Sequence, residues 1–196
     1  MKRILIPITL VFLFLTAIPS NAKVSPKNFD DTLIIVRNSL IARGITAYKI
    51  GNYQKAVDNL NQFINTRRVI ATPTEIAGYR YLALAYQKLG KEQMATKTII
   101  RAIAIFGHYP VELAHLESTA GAIASEQQQT EIAVKHWEKA RQLYLTNNFT
   151  KEWSEITFKL AKSYQELGNL AKSRKMLAEL EQTNIDIADL AVSNIQ

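Results

Sequence analysis

One pattern recurs four times along this chain, at spacings of 39, 38 and 40 residues. Three copies turn at a glycine: Tyr48-Lys49-Ile50-Gly51, Tyr86-Gln87-Lys88-Leu89-Gly90 and Tyr164-Gln165-Glu166-Leu167-Gly168. The remaining copy turns at Gln128, inside Ser125-Glu126-Gln127-Gln128-Gln129. Seven residues before each turn stands a small residue: Gly44, Ala83, Gly121 and Ala161. Five after it come Ala56, Ala95, Ala133 and Ser173, and nine after it Leu60, Ile99, Trp137 and Leu177. A fixed period of this size marks supersecondary units, each unable to bury its apolar face alone and so obliged to stack on its neighbours.

Each unit reads as two helices. Thr32 to Ile50 contains no proline, follows the helix-starting carboxylates Asp30 and Asp31, and ends at Gly51-Asn52, where glycine supplies the positive φ of a tight turn. A second helix runs from Tyr53 to about Thr66. The same reading gives helices from Thr74 to Leu89 and Glu92 to Phe106, then from Val111 to Glu126 and Thr130 to Leu145. The fourth unit takes Lys151 to Leu167 and Leu170 to Gln182. No window alternates with a period of two, so no strands are expected. The fold class is all-α: antiparallel helix pairs stacked into a solenoid. Close approach of two helices needs small residues, which predicts Gly44 against Ala56, Ala83 against Ala95, Gly121 against Ala133 and Ala161 against Ser173. Leu60, Ile99, Trp137 and Leu177 are then left to fill the gaps between one pair and the next.

The N-terminus has its own logic. Met1-Lys2-Arg3 is basic, Ile4 to Ile18 is apolar apart from Pro7, Thr9 and Thr16, and Pro19-Ser20-Asn21-Ala22 presents small residues at a cleavage-like site. This is the plan of a secretory signal peptide over residues 1–22, and an exported, periplasmic or extracellular protein is expected. The competing reading is a retained membrane anchor, for which the apolar run is short against the about 20 residues of a spanning helix. Without any cysteine, the chain has no disulfide, no thiol nucleophile and no cysteine-linked lipid. The formal charge of +7 falls to +5 after removal of Lys2 and Arg3, spread along the helices. That allows weak attraction to acidic surfaces, and the export signal argues against nucleic acid as partner.

The units resemble tetratricopeptide repeats, with the chain looking like an exported bacterial member of about four. Ala83-Leu84-Ala85-Tyr86 with Gly90, Ala95, Ile99 and Ala102 carries the family pattern, as does Ala161-Lys162-Ser163-Tyr164 with Gly168 and Leu177. The first copy keeps Gly44, Gly51, Tyr53, Ala56 and Phe63 but has Ala47 at the aromatic position. The third departs furthest, with Ala124 for the aromatic and Gln128 for the glycine, and retains Ala133, Trp137 and Ala140. The resemblance spans residues 37–182, as repeats of about 37–70, 76–109, 114–147 and 154–182. Residues 23–36 are a lead-in with the start of the first helix, and 183–196 a tail or capping helix. The resemblance implies a right-handed solenoid. The family unit is 34 residues, so the longer spacings imply longer inter-repeat loops near Ala71–Glu75, Pro110–Leu113 and Asn148–Trp153.

Chemistry is not what this sequence advertises. His108, His115 and His136 lack metal-ligand spacing, and there is no phosphate-cradling loop, nucleophile elbow or acidic cluster. A non-enzymatic protein without cofactor or metal is expected. The resemblance implies instead a concave groove, lined by the first helix of each pair, that holds a protein or peptide partner. Helical phase puts Ile41, Ile45, Tyr48 and Lys49 there from the first unit and Arg80, Leu84, Gln87 and Lys88 from the second. His115, Ser118, Ala122 and Ser125 follow from the third, and Phe158, Lys162, Gln165 and Glu166 from the fourth. Ile41, Ile45, Leu84 and Phe158 are the expected apolar contacts, with Lys49, Arg80 and Lys88 selecting polarity. An exported adaptor is the leading expectation. A permanent accessory subunit of a larger envelope or secretion complex is the alternative.

Overall fold

A computed structural model describes residues 26–66 and 72–183, with side chains from Asp31 onward. The expected signal peptide and all residues after Thr183 lie outside that set. The chain divides into two compact units, Met1–Val36 and Arg37–Gln196. Of the first, the described part is helical from Pro26. The repeats lie in the second.

Eight helices are described: α1 (Pro26–Lys49), α2 (Tyr53–Asn65), α3 (Pro73–Lys88), α4 (Glu92–Phe106), α5 (Pro110–Glu126), α6 (Thr130–Thr146), α7 (Thr150–Glu166) and α8 (Leu170–Gln182). No strand occurs among the described residues. Sequential helices pack on one another from α2 to α8, and α3 also touches α5, so the first helices of neighbouring pairs line up side by side. Local chemistry sets the ends. Asn52, Thr72 and Asn169 cap α2, α3 and α8 by accepting the N–H of Lys55, Glu75 and Lys172. Pro73 and Pro110 sit in the first turns of α3 and α5, where a missing N–H costs nothing.

All four hairpin turns share one backbone. Gly51, Gly90 and Gly168 adopt φ of 79°, 69° and 75°, and Gln128 takes the same left-handed conformation at φ 60°. In each, the next N–H reaches back five residues, as in Asn52 N–H to Ala47 O at 2.8 Å and Gln129 N–H to Ala124 O at 2.9 Å. The third unit thus keeps the turn without the residue that makes it cheap.

The expected long loops are absent where they are described. Pro110–Leu113 lies in α5, and Thr150–Trp153 lies in α7. The joins shrink to three residues each, Gly107–Tyr109 and Asn147–Phe149, the latter reversed by Asn148 at φ 60°. The extra period length lies in the helices instead: α5, α6 and α7 each run 17 residues. The expectation for the first join falls partly outside the described residues. The first helix is already formed at Pro26, ahead of the Asp30–Asp31 signal.

The small residues work differently from the expected small-on-small contact. A Cβ added to Gly44 would lie 2.4 Å from Leu60 Cγ, and one on Gly121 would lie 2.3 Å from Trp137 Cδ1. In the first and third pairs the large residue of the second helix therefore plugs the gap left by the small residue of its own first helix, within the pair rather than between pairs. Leu60 is wholly buried there, worth about 1.5–3 kcal/mol as removed apolar surface. Edge-to-face rings join the first pair to the second: Phe63 on α2 meets Tyr79 on α3 at 5.7 Å, and Tyr79 in turn meets Phe106 on α4, inside the second pair, at 5.5 Å. Helix α5 is buried on both flanks. Leu116, Ala120 and Ile123 join the core of the first two pairs, while Ala114 and Ala124 join that of the last two.

Candidate binding face

The first helices α1, α3, α5 and α7 carry the predicted binding residues, and the structure sorts them into three groups. Ile41 is fully buried and Phe158 nearly so, at 9% exposure. Both correct the expected groove, since a partner cannot reach a side chain enclosed by the core. Each stands ten residues before its turn, and the position after it is the accessible one: Ala42 is exposed, and Tyr81 and Lys159 are half-buried. At this position the accessible side chain lies one residue on, about 100° round the helix.

A second group is held by the neighbouring repeat. Arg80 Nε donates to Thr119 Oγ1 at 3.1 Å, and Thr119 Oγ1 in turn donates to His115 O at 2.8 Å. Gln127 Nε2 donates to Gln87 Oε1 at 2.9 Å, and Lys88 Nζ lies 3.1 Å from Glu126 Oε1. Arg80 and Lys88 were expected to select a partner and Gln87 to line the groove, and each spends a polar group on the next first helix or its cap. Burial pulls the Arg80 pKa below the ordinary guanidinium range. The Lys88 pKa is raised, chiefly by its hydrogen bond to Glu126.

The third group remains open to an incoming segment. Ile45 and Leu84 are half-buried beside the core, and Lys49 and Lys162 are exposed. Tyr48 is half-buried and packs on Tyr53 at 5.4 Å and Tyr81 at 5.2 Å, forming an aromatic bridge from α1 to α3. Burial raises the Tyr48 pKa, so the bridge stays neutral. Ala122 is half-buried on α5, with Ser125, Gln165 and Glu166 exposed. Tyr81 and Lys159 were missed by sequence reasoning. The signal was present: Ile41 and Phe158 are apolar at one helical position, which marks that position as core.

Between α3 and α7 lies a polar cluster centred on His115. The Tyr144 hydroxyl is 2.9 Å from His115 Nδ1, and the rings meet edge-on at 5.4 Å. Burial pushes the Tyr144 pKa up to about 12, so the phenol keeps its proton to donate. The His115 pKa is lowered, first by burial and then by the Arg80 charge. On the other flank of α5, buried Glu117 pairs with His136 Nδ1 and lies 3.6 Å from Lys139 Nζ. Among the described residues no group of three or more His, Asp or Glu is placed to hold a metal. No helix among them is long and apolar enough to cross a membrane.

The architecture is that of a known class of helical repeat fold. A family profile described as Tetratricopeptide repeat matches residues 157–183, from the middle of α7 through α8. Among solved structures, a kinesin light chain with nearly identical TPR-like repeats from Podosopora anserina superposes with a TM-score of 0.62 at 21% identity, over 72% of each chain. A MamA structure superposes with a TM-score of 0.60 at 17% identity, covering 81% of this chain and 92% of that one. The Rap conjugation gene regulator of plasmid pLS20, solved with the Phr* peptide, gives 0.59 at 14% identity over 90% of this chain and 53% of that one. No curated protein matches the chain. The chain thus has the fold of tetratricopeptide-type solenoids, with four helix pairs among its described residues and a stretch of the last that matches the repeat itself.

Proposed function

We propose that this chain is an exported, non-enzymatic scaffold that holds an extended or helical segment of a partner protein against its first-helix face. The observation that carries the reading is the apolar strip formed by Ile45, the Tyr48–Tyr81 bridge and Leu84, which the core leaves half-exposed. A partner that covers such side chains gains desolvation energy at fixed positions. Support comes from the Rap regulator, a structure of the same fold solved with a peptide. Export rests on residues 1–22, whose basic start, apolar run and Ala22 site read as a cleavable signal.

Two experiments test this. N-terminal sequencing of the mature protein should begin at Lys23, and retention of Met1 on a membrane-bound product would make the chain an anchored scaffold. Affinity capture with the tagged mature chain, read by mass spectrometry, should return a partner that Leu84→Glu with Ile45→Glu loses. Lys135→Glu on α6 should keep it. Loss with the α6 change and retention with the first-helix changes would move binding to the second helices and overturn the reading. Arg80 is left out of the variant because its guanidinium serves the α3–α5 contact.

A further inference from the structure

Two cations on the first-helix face have a use within the fold. Arg80 is bound to Thr119 and Lys88 to Glu126. Lys159 and Lys162, one turn apart on α7, have neither a hydrogen-bond acceptor nor an ion-pair partner among the described residues. Both line a cleft of about 260 Å³ between α5 and α7, with Ala122 and Ser125 opposite and Trp137 beneath. Lys159 is half-buried, and Glu155, one turn back on its own helix, lies beyond ion-pairing distance. Burial consequently pulls the Lys159 pKa down, the mark of an ammonium that has lost water without gaining an acceptor. An unpaired cation in a partly desolvated cleft is costly to keep, and an anion that enters recovers that cost.

We infer that this cleft takes an aspartate or glutamate side chain from an extended segment of a partner protein. Lys159 and Lys162 donate to the carboxylate, while Ala122 and the edge of Trp137 receive the apolar side chain beside it. The inference rests on the reading of the first-helix face as a protein-binding surface, and it names the chemistry of the partner at the fourth repeat. A phosphodiester backbone fits less well. Glu126 and Glu166 stand on the rim of the same cleft and repel a chain that carries a charge at every unit. A single carboxylate flanked by neutral residues meets the lysines and avoids the rim.

The test is a random linear peptide library panned on the full chain, followed by titration of the best enriched peptides as synthetic, labelled ligands. The expected result is enrichment of peptides with Asp or Glu beside an apolar residue, and a loss of about tenfold or more in affinity with Lys159→Gln plus Lys162→Gln. Replacing the peptide's acid by its amide should weaken binding to the wild-type chain and have little further effect on the variant, because the partner charge is already gone. Both lysines lack partners in the fold, so the variant should keep wild-type helical circular dichroism. Enriched peptides without acidic residues, or equal affinity for variant and wild type, would overturn the inference. If such peptides are lost with Leu84→Glu instead, the binding face stands and only the acidic subsite falls. If no peptide binds at all, both fall. Tight binding of a single-stranded oligonucleotide that depends on the same two lysines would also overturn it.

Discussion

Arg37 donates from Nε to Glu75 Oε1 at 3.0 Å, and the two side chains are 3% and 2% exposed. They stand 38 residues apart in sequence, on α1 and α3. The guanidinium also donates to Thr66 O at 3.0 Å and covers the Phe63 ring at 4.9 Å, so it ties the end of α2 to both first helices. A buried charge that loses its partner is destabilising by about 3–5 kcal/mol. Glu75→Ala is expected to lower stability by that order in urea unfolding. The double change Arg37→Met with Glu75→Leu should cost less than the single one, because the buried Arg37 charge goes together with its partner. An additive result would show that the pair is not coupled.

A second expectation concerns the plugs inside the hairpins. With Trp137 Cδ1 2.3 Å from where a Cβ would stand, Gly121→Ala should overpack the third pair and cost about 1–3 kcal/mol. Adding Trp137→Leu should recover part of the loss, since a smaller plug makes room. Thermal melts of the two variants against the wild type provide the comparison. An undisturbed midpoint for Gly121→Ala would mean that the α5–α6 contact can open to admit a methyl group.

Gln128 offers the opposite sign. It adopts φ 60° where the other three turns have glycine, and a left-handed conformation costs an L-residue about 1–2 kcal/mol. Gln128→Gly should therefore raise stability by about 1 kcal/mol, offset in part by the greater freedom of glycine in the unfolded chain. An equilibrium denaturation curve displaced to lower denaturant would refute the strain.

Acidification should weaken the fold through His115. Its folded pKa is lowered, by burial first and by Arg80 second, while Glu152 and Glu112 oppose the shift less strongly. The unfolded chain therefore binds the proton first as pH falls. The stabilising contribution is complete above about 6.5, the unperturbed histidine value, and is lost as pH drops from there toward the folded pKa. Urea unfolding at pH 7.5 and pH 5 should show a larger loss for the wild type than for His115→Gln. Equal losses would mean that His115 titrates as it does in the unfolded chain.

The sequence by itself determined the number of helix pairs, the four turn positions and the fold. Spacing is a one-dimensional property, and the run of Gly51, Gly90, Gln128 and Gly168 reports it directly. Helix ends were legible to within a residue or two for α2 through α8, because caps and turn residues act locally. Period alone does not fix phase. A helix turns about 100° per residue, so a slip of one at the position ten before the turn puts Ile41 and Phe158 outside when they belong inside, and passes over Tyr81 and Lys159. Which small residue meets which large one was likewise decided in three dimensions, where Leu60 and Trp137 enter the space over Gly44 and Gly121. The uses of Arg80, Gln87 and Lys88 depend on how one hairpin sits against the next. A residue's sequence neighbours show its charge and helical position, but only the stacked repeats show that Thr119, Gln127 and Glu126 stand within hydrogen-bond reach. Lys159 and Lys162 differ because no acceptor stands within hydrogen-bond or ion-pair reach of them, and that too is a property of the packing.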